Sequence, residues 1–159
     1  MTNTTDVSHS IDVNCTKSEI AAAVLRIREF HGIAEAAFSK RPLSLHKSLE
    51  RRRSQRVAFE VPIYLYPVSW RGGRVSGDWN RPVVGVTHDI SEHGVGFHYD
   101  ASIDSQHVLA EFDLFGSGGE LLLIELRWHQ KRAPHSYVAG GLILGVATPL
   151  EGLLGAFPL

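Results

Sequence analysis

The chain of 159 residues is long enough for one domain with a substantial core, and its 43% apolar and 21% charged residues are those of an ordinary globular protein. Its single cysteine, Cys15, excludes an internal disulfide, so no oxidising compartment is required and we expect a cytoplasmic protein. The formal net charge of −1 hides an uneven distribution. Residues 51–81 hold seven arginines against two acids, whereas residues 82–159 hold three basic groups against nine acids.

Neither end of the sequence predicts a membrane segment. The first residues have no basic stretch followed by an apolar run, so no secretory signal is expected. Residues 140–159 are almost uncharged, but glycine and proline interrupt them too often for a membrane-spanning helix. Residues 1–15 are polar and aperiodic, and we expect a disordered tail there.

A helix is predicted for residues 16–40, before Pro42. Thr16 and Glu19 have the spacing of a capping box. Apolar residues recur at alternating steps of four and three, with His31 in the same row: Ile20, Val24, Ile27, Ala34 and Phe38. This row either packs on the chain's own domain, as in a monomer, or pairs with the helix of a partner, as in a homodimer. Its short length favours the first alternative.

Residues 41–50 form a linker, and an apolar alternation that begins at Val57 marks the first of six predicted strands. Ile63 and Leu65 share one face of this strand, opposite Tyr66, and Pro62 indicates a sheet edge or a bulge. A polar loop is expected at residues 70–82. The other five strands are expected at residues 83–90, 95–99, 108–114, 121–130 and 137–146.

These six strands, with turn signals and no helix between them, predict a mainly β domain over residues 51–159. The expected architecture is an antiparallel sheet that closes or nearly closes into a barrel. Residues 149–157 predict a short apolar helix suited to cover an open end of that barrel.

Two polar motifs flank the first two strands. Arg52 and Arg56 are four residues apart in the arginine cluster 51–56, and a guanidinium can fork onto a phosphate or a guanine edge, or stack on a purine. Asp89, Ser91 and Gly94 form D-x-S-x-x-G between two strands, where Gly94 is expected to supply the positive backbone angle of a tight turn. A carboxylate suits the N1–H and the exocyclic amine of guanine. Taken alone, each motif also fits an ordinary solvated cluster or an ordinary turn.

In combination the motifs resemble the two-part signature of the PilZ domain, a bacterial receptor module for cyclic di-GMP. Arg52-x-x-x-Arg56 and Asp89-Ile90-Ser91-x-x-Gly94-Val95-x-Phe97 match the pattern of that family in order and spacing. Leu126-Arg127-Trp128 and the glycine at 140 or 141 are similar to its later strands. The resemblance covers about residues 51–157.

This resemblance implies a six-stranded antiparallel barrel with a C-terminal helix that binds cyclic di-GMP without turning it over. Arg52 and Arg56 would hold phosphate and guanine, while Asp89 and Ser91 would read a guanine edge. The remaining implied contacts come from Gly94, which lets the backbone approach, from Trp128, which stacks on a base, and from Arg51, which accompanies a second ligand molecule. No cofactor is implied. Ordering of residues 41–56 on binding would reorient the N-terminal helix and relay the signal to a downstream protein that the sequence does not identify.

An enzyme is not expected. Asp89, Ser91 and His93 belong to one turn, and three residues of one turn seldom reach the geometry of a catalytic triad. Histidines 88, 93 and 98 repeat every five residues, which fits neither helical ligation of a metal nor ligation from one face of a strand.

Two binding alternatives remain. A domain of the same fold could act as an adaptor through protein contacts alone, without nucleotide. A small barrel could instead bind single-stranded nucleic acid through residues 51–81, with Trp70 and Trp79 stacking on bases. The acids of residues 82–159 would repel an extended polyanion, so nucleic acid is the less favoured partner.

Overall fold

The computed structural model describes the backbone of residues 10–36, 57–58, 60–112 and 120–148, and the side chains of residues 10–29, 60–112 and 120–147. This part of the chain is mainly β, with one helix, α1 (Lys17–Ala36). Its nine strands are β1 (Ile11–Asn14), β2 (Val57–Ala58), β3 (Pro62–Arg71), β4 (Arg74–Gly77), β5 (Val83–Ile90), β6 (Gly94–Tyr99), β7 (His107–Phe112), β8 (Glu120–Ala133) and β9 (Ser136–Thr148). The predicted linker, the arginine cluster and the predicted C-terminal helix lie outside the described residues.

The strands form one antiparallel sheet in the order β1-β4-β3-β7-β8-β9-β6-β5-β2. Two additional pairings, β1 with β9 and β3 with β5, join strands that are not neighbours in that order. As a result, β3, β7, β8, β9, β6 and β5 each pair with two others in a closed cycle.

The strand count of nine in the described residues differs from the six expected. Strand β1 lies in the predicted disordered tail, so that prediction is wrong for residues 11–14, because Ile11 is buried and the strand pairs with both β4 and β9. Strand β4 lies in the predicted loop 70–82. Gly72 and Gly73 have φ angles of 58° and 78°, as a two-residue hairpin turn between β3 and β4 requires.

Strands β3 and β7, the first half of β8 and the second half of β9 are buried on both faces. On one face a first cluster packs with residues of β5, β6 and α1, and its central members are Ile63, Leu65, Val108, Ala110, Leu122 and Ile124. On the other face a second cluster is covered by β1 and β4, and its members include Ile11, Tyr66, Val75, Trp79, Leu109, Leu121 and Leu123. Tyr66, expected opposite the core side of its strand, is therefore buried in a second core.

Helix α1 packs on the chain's own sheet, as the favoured alternative predicts. Ile20, Ala23, Val24 and Ile27 are buried in the first cluster. The hydroxyl of Thr16 accepts a hydrogen bond from the backbone N–H of Glu19 at 3.4 Å, which is the expected N-cap contact. Within the described residues, no helix combines the length and the apolar character needed to cross a membrane.

Candidate ligand-binding site

Four residues of neighbouring strands form one row across the sheet. Trp128 of β8 pairs with Gly140 of β9, Gly140 with Gly96 of β6, and Gly96 with Asp89 of β5. Directly paired residues of antiparallel strands place their side chains on the same face. Because Phe97, next to Gly96, is in the first cluster, the row lies on the opposite face, which we call the outer face. An aromatic side chain and a carboxylate thus stand at the two ends of the row.

The two central glycines let aromatic rings lie directly on the sheet. A Cβ atom placed on Gly140 would be 2.5 Å from Nε1 of Trp128, and one placed on Gly96 would be 2.5 Å from Cε1 of His88. The indole of Trp128 is 48% exposed, and the side chain of His88 is 34% exposed. Because Gly140 and Gly96 are paired on neighbouring strands, the two rings cover adjacent positions of the outer face, which we call the platform.

A β-bulge brings His88 onto the platform. The register passes from Thr87 opposite Phe97 to Asp89 opposite Gly96, so His88 is the extra residue of β5. The buried hydroxyl of Thr87 accepts a hydrogen bond from the backbone N–H of Val61 at 2.9 Å and holds the start of the bulge. His88 and Asp89, although adjacent in sequence, therefore both lie beside Gly96.

Asp89 is bound to the ring of its neighbour. Its Oδ2 atom lies 3.1 Å from Nδ1 of His88, and its side chain is 22% exposed. When Nδ1 carries the proton it donates to the carboxylate, and this contact fixes the orientation of the imidazole ring. The ring of His98, two residues after Gly96 on the same face, lies against the ring of His88 with centroids 5.2 Å apart. Asp89 and the two histidines thus form one polar group beside Trp128.

Ser91 builds the turn between β5 and β6. Its Oγ accepts hydrogen bonds from the backbone N–H groups of His93 and Gly94, each at 3.2 Å, and the residue is only 1% exposed. Its own N–H donates to the carbonyl of Gly94 at 2.8 Å. The turn is also held to β9, because the N–H of Ile143 donates to the carbonyl of His93 at 2.8 Å.

Gly94 does not have the positive backbone angle that we expected. Among the described glycines, positive φ angles belong to Gly72 and Gly73. Gly94 is instead a buried first residue of β6 that pairs with Leu142 of β9. The hydrogen bonds of Ser91, rather than a left-handed glycine, close this turn.

The structure brings two of the predicted ligand-binding residues, Asp89 and Trp128, into one row, and it places Ser91 and Gly94 in the turn that follows Asp89. Arg51, Arg52 and Arg56 lie outside the described residues. The two histidines and the two central glycines were not predicted as ligand-binding residues. The sequence did contain a pattern that places Gly96 and His98 on one face. Residues 94–99 alternate between glycine or histidine and apolar residues, which separates an outer face from an apolar face: Gly94, Gly96 and His98 against Val95, Phe97 and Tyr99.

Trp70 and Trp79, the stacking residues of the nucleic-acid alternative, belong to the second cluster. Trp79 is 7% exposed and lies edge-on to Tyr66, with ring centroids 5.6 Å apart. Trp70 is half-buried and lies edge-on to His107 at the same centroid distance of 5.6 Å. Neither ring is as exposed as that of Trp128.

In the described part of the chain, no group of three or more histidine, cysteine, aspartate or glutamate side chains is arranged to hold a metal ion. No protein-family model matches the sequence, and no curated protein matches it either.

Proposed function

We propose that the chain is a bacterial cyclic di-GMP receptor, which binds the dinucleotide on the outer face and relays the signal to a downstream protein. The observation that carries this proposal is the row Trp128–Gly140–Gly96–Asp89. It combines an exposed aromatic ring, two glycines that let this ring and that of His88 lie close to the sheet, and a carboxylate. The ring and the carboxylate suit a guanine base, because it has a flat face for stacking and two donors on one edge.

Trp128 is the stacking residue in this proposal. A purine on the open face of the indole would extend towards the ring of His88, which lies on Gly96. Its edge would then point towards Asp89, whose partly exposed carboxylate would accept a hydrogen bond from that edge. Stacking of one base on an aromatic side chain contributes about 1–3 kcal/mol.

The arginine motif is the proposed source of charge for the phosphates. Val57 follows Arg56 in the sequence and pairs with Ile90, the residue after Asp89. Val57, the residue that follows the arginine motif, thus lies beside the D-x-S-x-x-G turn. Arg52 precedes Arg56 by four residues, and we propose that both hold phosphate and guanine. Arg51 is the candidate for contact with a second ligand molecule.

Ser91 and Gly94 serve this site by fixing the turn. The hydroxyl of Ser91 already accepts two backbone hydrogen bonds, and the residue is buried. We therefore assign Ser91 to the positioning of Asp89 rather than to direct reading of a base. Gly94 starts β6, which supplies Gly96 to the platform.

The closed cycle of six strands supports a PilZ-type barrel in this proposal, with β1, β4 and α1 as additions. We propose that residues 149–157 form the covering helix, and that binding orders residues 41–56, which join α1 to the site. The role is one of binding rather than catalysis and requires no cofactor. A second messenger of this kind acts inside the bacterial cell, so we assign the protein to the cytoplasm.

Calorimetric titration with cyclic di-GMP tests the proposal. Arg52→Ala, Arg56→Ala and Asp89→Ala should each weaken binding by about 1–3 kcal/mol, and Trp128→Ala by a similar amount. His129→Ala, an exposed neighbour of Trp128 on β8, is the matched control and should bind as the wild type does. Cyclic di-AMP, which lacks the two donors of the guanine edge, should bind more weakly than cyclic di-GMP.

Two outcomes would favour the alternatives. If cyclic di-GMP gives no heat and no change in thermal stability at millimolar concentration, the receptor proposal is rejected and an adaptor role becomes the better account. If single-stranded oligonucleotides bind more tightly than cyclic di-GMP with a steep dependence on salt, the domain is a nucleic-acid-binding module.

A further inference from the structure

We propose that His88 and His98 form a phosphate-contacting subsite beside Trp128, an inference that rests on the proposed receptor function. Both rings lie on the outer face, and their centroids are 5.2 Å apart with an interplanar angle of 63°. His98 is exposed, and His88 lies on Gly96 in the middle of the row. A dinucleotide stacked on Trp128 would therefore pass over or beside both imidazoles.

A second row of residues places His98 within reach of such a ligand. Gln130 of β8 pairs with Val138 of β9, Val138 with His98 of β6, and His98 with Val86 of β5. This row runs next to that of Trp128 on the same face, about 6.8 Å further along each strand. That separation is shorter than a cyclic dinucleotide, so one ligand molecule can contact both rows.

The contact between His88 and Asp89 orients the subsite. Oδ2 of Asp89 lies 3.1 Å from Nδ1 of His88, so a proton on Nδ1 is held by the carboxylate. Protonation of the ring adds an N–H donor at Nε2 and a positive charge. A phosphate oxygen is the acceptor that suits a charged N–H donor, because the hydrogen bond is then charge-assisted.

The groups that face the two histidines are few. Asp89 on β5 is the acidic group in contact with His88. On β9 the two rows contain Gly140 and Val138, and on β8 they contain Trp128 and Gln130. None of these four residues has a side chain that ionises near neutral pH. Arg127, the bulge residue that precedes Trp128 on β8, is paired with Glu125 at 3.1 Å. Within the described residues, the two rows thus contain no lysine or arginine, and the histidines are their source of positive charge.

This arrangement predicts a direction for the pH dependence of binding. Histidine changes its charge between pH 5 and 8, while a phosphodiester remains an anion throughout that range. Binding should therefore tighten as the pH falls, because protonated imidazoles attract the phosphate. We expect the dissociation constant for cyclic di-GMP to be about tenfold lower at pH 6 than at pH 8.

Titrations of the full chain with cyclic di-GMP at pH 6, 7 and 8 test the subsite. The variants are His88→Asn, whose amide can still donate to Asp89, and His98→Gln, alone and together. The double variant should lose most of the tenfold gain in affinity between pH 8 and pH 6, whatever its affinity at pH 8. His129→Gln, exposed on β8 and opposite Ala139, is the matched control and should keep that gain.

The outcomes separate the subsite from the receptor function. A wild-type affinity that does not change from pH 8 to pH 6, or a double variant that keeps the full gain, would overturn the subsite and leave the receptor function standing. A gain lost equally in His129→Gln would also overturn it, because the response would then not be specific to the outer face. No binding at any of the three pH values would reject the receptor function, and the subsite with it.

Discussion

The indole of Trp128 lies against the backbone of Gly140, so closely that a Cβ atom on Gly140 would be 2.5 Å from its Nε1 atom. Real Cβ atoms do not approach other atoms this closely, so any larger residue at 140 must displace the ring. The ring is half exposed and can move outwards. Gly140 therefore controls the position of Trp128 while affecting the buried core little.

Gly140→Ala should weaken cyclic di-GMP binding about as much as loss of the stacking ring, by about 1–3 kcal/mol, while it costs less than about 1 kcal/mol of stability. The matched variant is Gly141→Ala, whose new Cβ would meet the backbone carbonyl of Glu125 and the side chain of Ile124. It should lower the free energy of unfolding by more than Gly140→Ala. Titration and urea unfolding measure both effects. Unchanged binding by Gly140→Ala would contradict the stacking role of Trp128.

Both ends of the platform depend on β-bulges, and this explains what the sequence could and could not predict. Five strands are found at or near their expected positions, because alternation and turn residues determine them locally. Asp89 and Trp128 could be selected from their chemistry. Their common row could not, because the bulges at His88 and Arg127 reverse which face the following residues occupy.

Strand β1 was missed for a different reason. Ile11 and Val13 alternate with polar residues, but four residues of alternation in a polar segment are too weak a signal by themselves. Their partners are β4, which also lay in a predicted loop, and the far end of β9. These long-range pairings, which also bury Tyr66, form only in the folded sheet.

Ser91→Ala should destabilise the protein although it removes a single hydroxyl group. The backbone N–H groups of His93 and Gly94 would lose their acceptor in a buried turn, which costs about 1–3 kcal/mol. Ser69→Ala, at an exposed position of β3, is the control and should change stability by less than about 0.5 kcal/mol. Denaturant unfolding of the two variants measures the difference. Equal stabilities would show that Ser91 does not hold the turn.

The ion pair between Arg26 and Glu120 joins α1 to β8 and should contribute modestly. Nε of Arg26 lies 2.7 Å from Oε2 of Glu120, and Nη2 of Arg26 lies 3.1 Å from Oε1 of Glu120. This contact raises the pKa of Arg26 above its ordinary value. Because Arg26 is half exposed, a double-mutant cycle with Arg26→Ala and Glu120→Ala should give a coupling of about 0.2–1 kcal/mol that weakens with salt. A coupling of zero at low salt would rule out this contribution.

The phenol of Tyr66 should make the protein less stable at alkaline pH. Burial, and then the nearby carboxylate of Glu111, raise the pKa of Tyr66 above its ordinary value of 10.0. Its hydroxyl donates to Oε1 of Glu111 at 2.9 Å, a contact that needs the protonated form. Above that ordinary value the unfolded chain loses a proton that the folded chain keeps, so the free energy of unfolding falls as the pH rises. Below it, the contribution is fully present.

Tyr66→Phe tests this directly, because phenylalanine cannot ionise. The variant should lose about 1 kcal/mol of stability near neutral pH with the hydrogen bond to Glu111, but its stability should fall less steeply than that of the wild type above about pH 10. Tyr99, whose pKa is also raised by burial and by Tyr137, leaves a residual slope in the variant. Urea unfolding at intervals from pH 8 to pH 11 measures both slopes. Parallel slopes for the two proteins would show that Tyr66 ionises as readily in the folded chain as in the unfolded one.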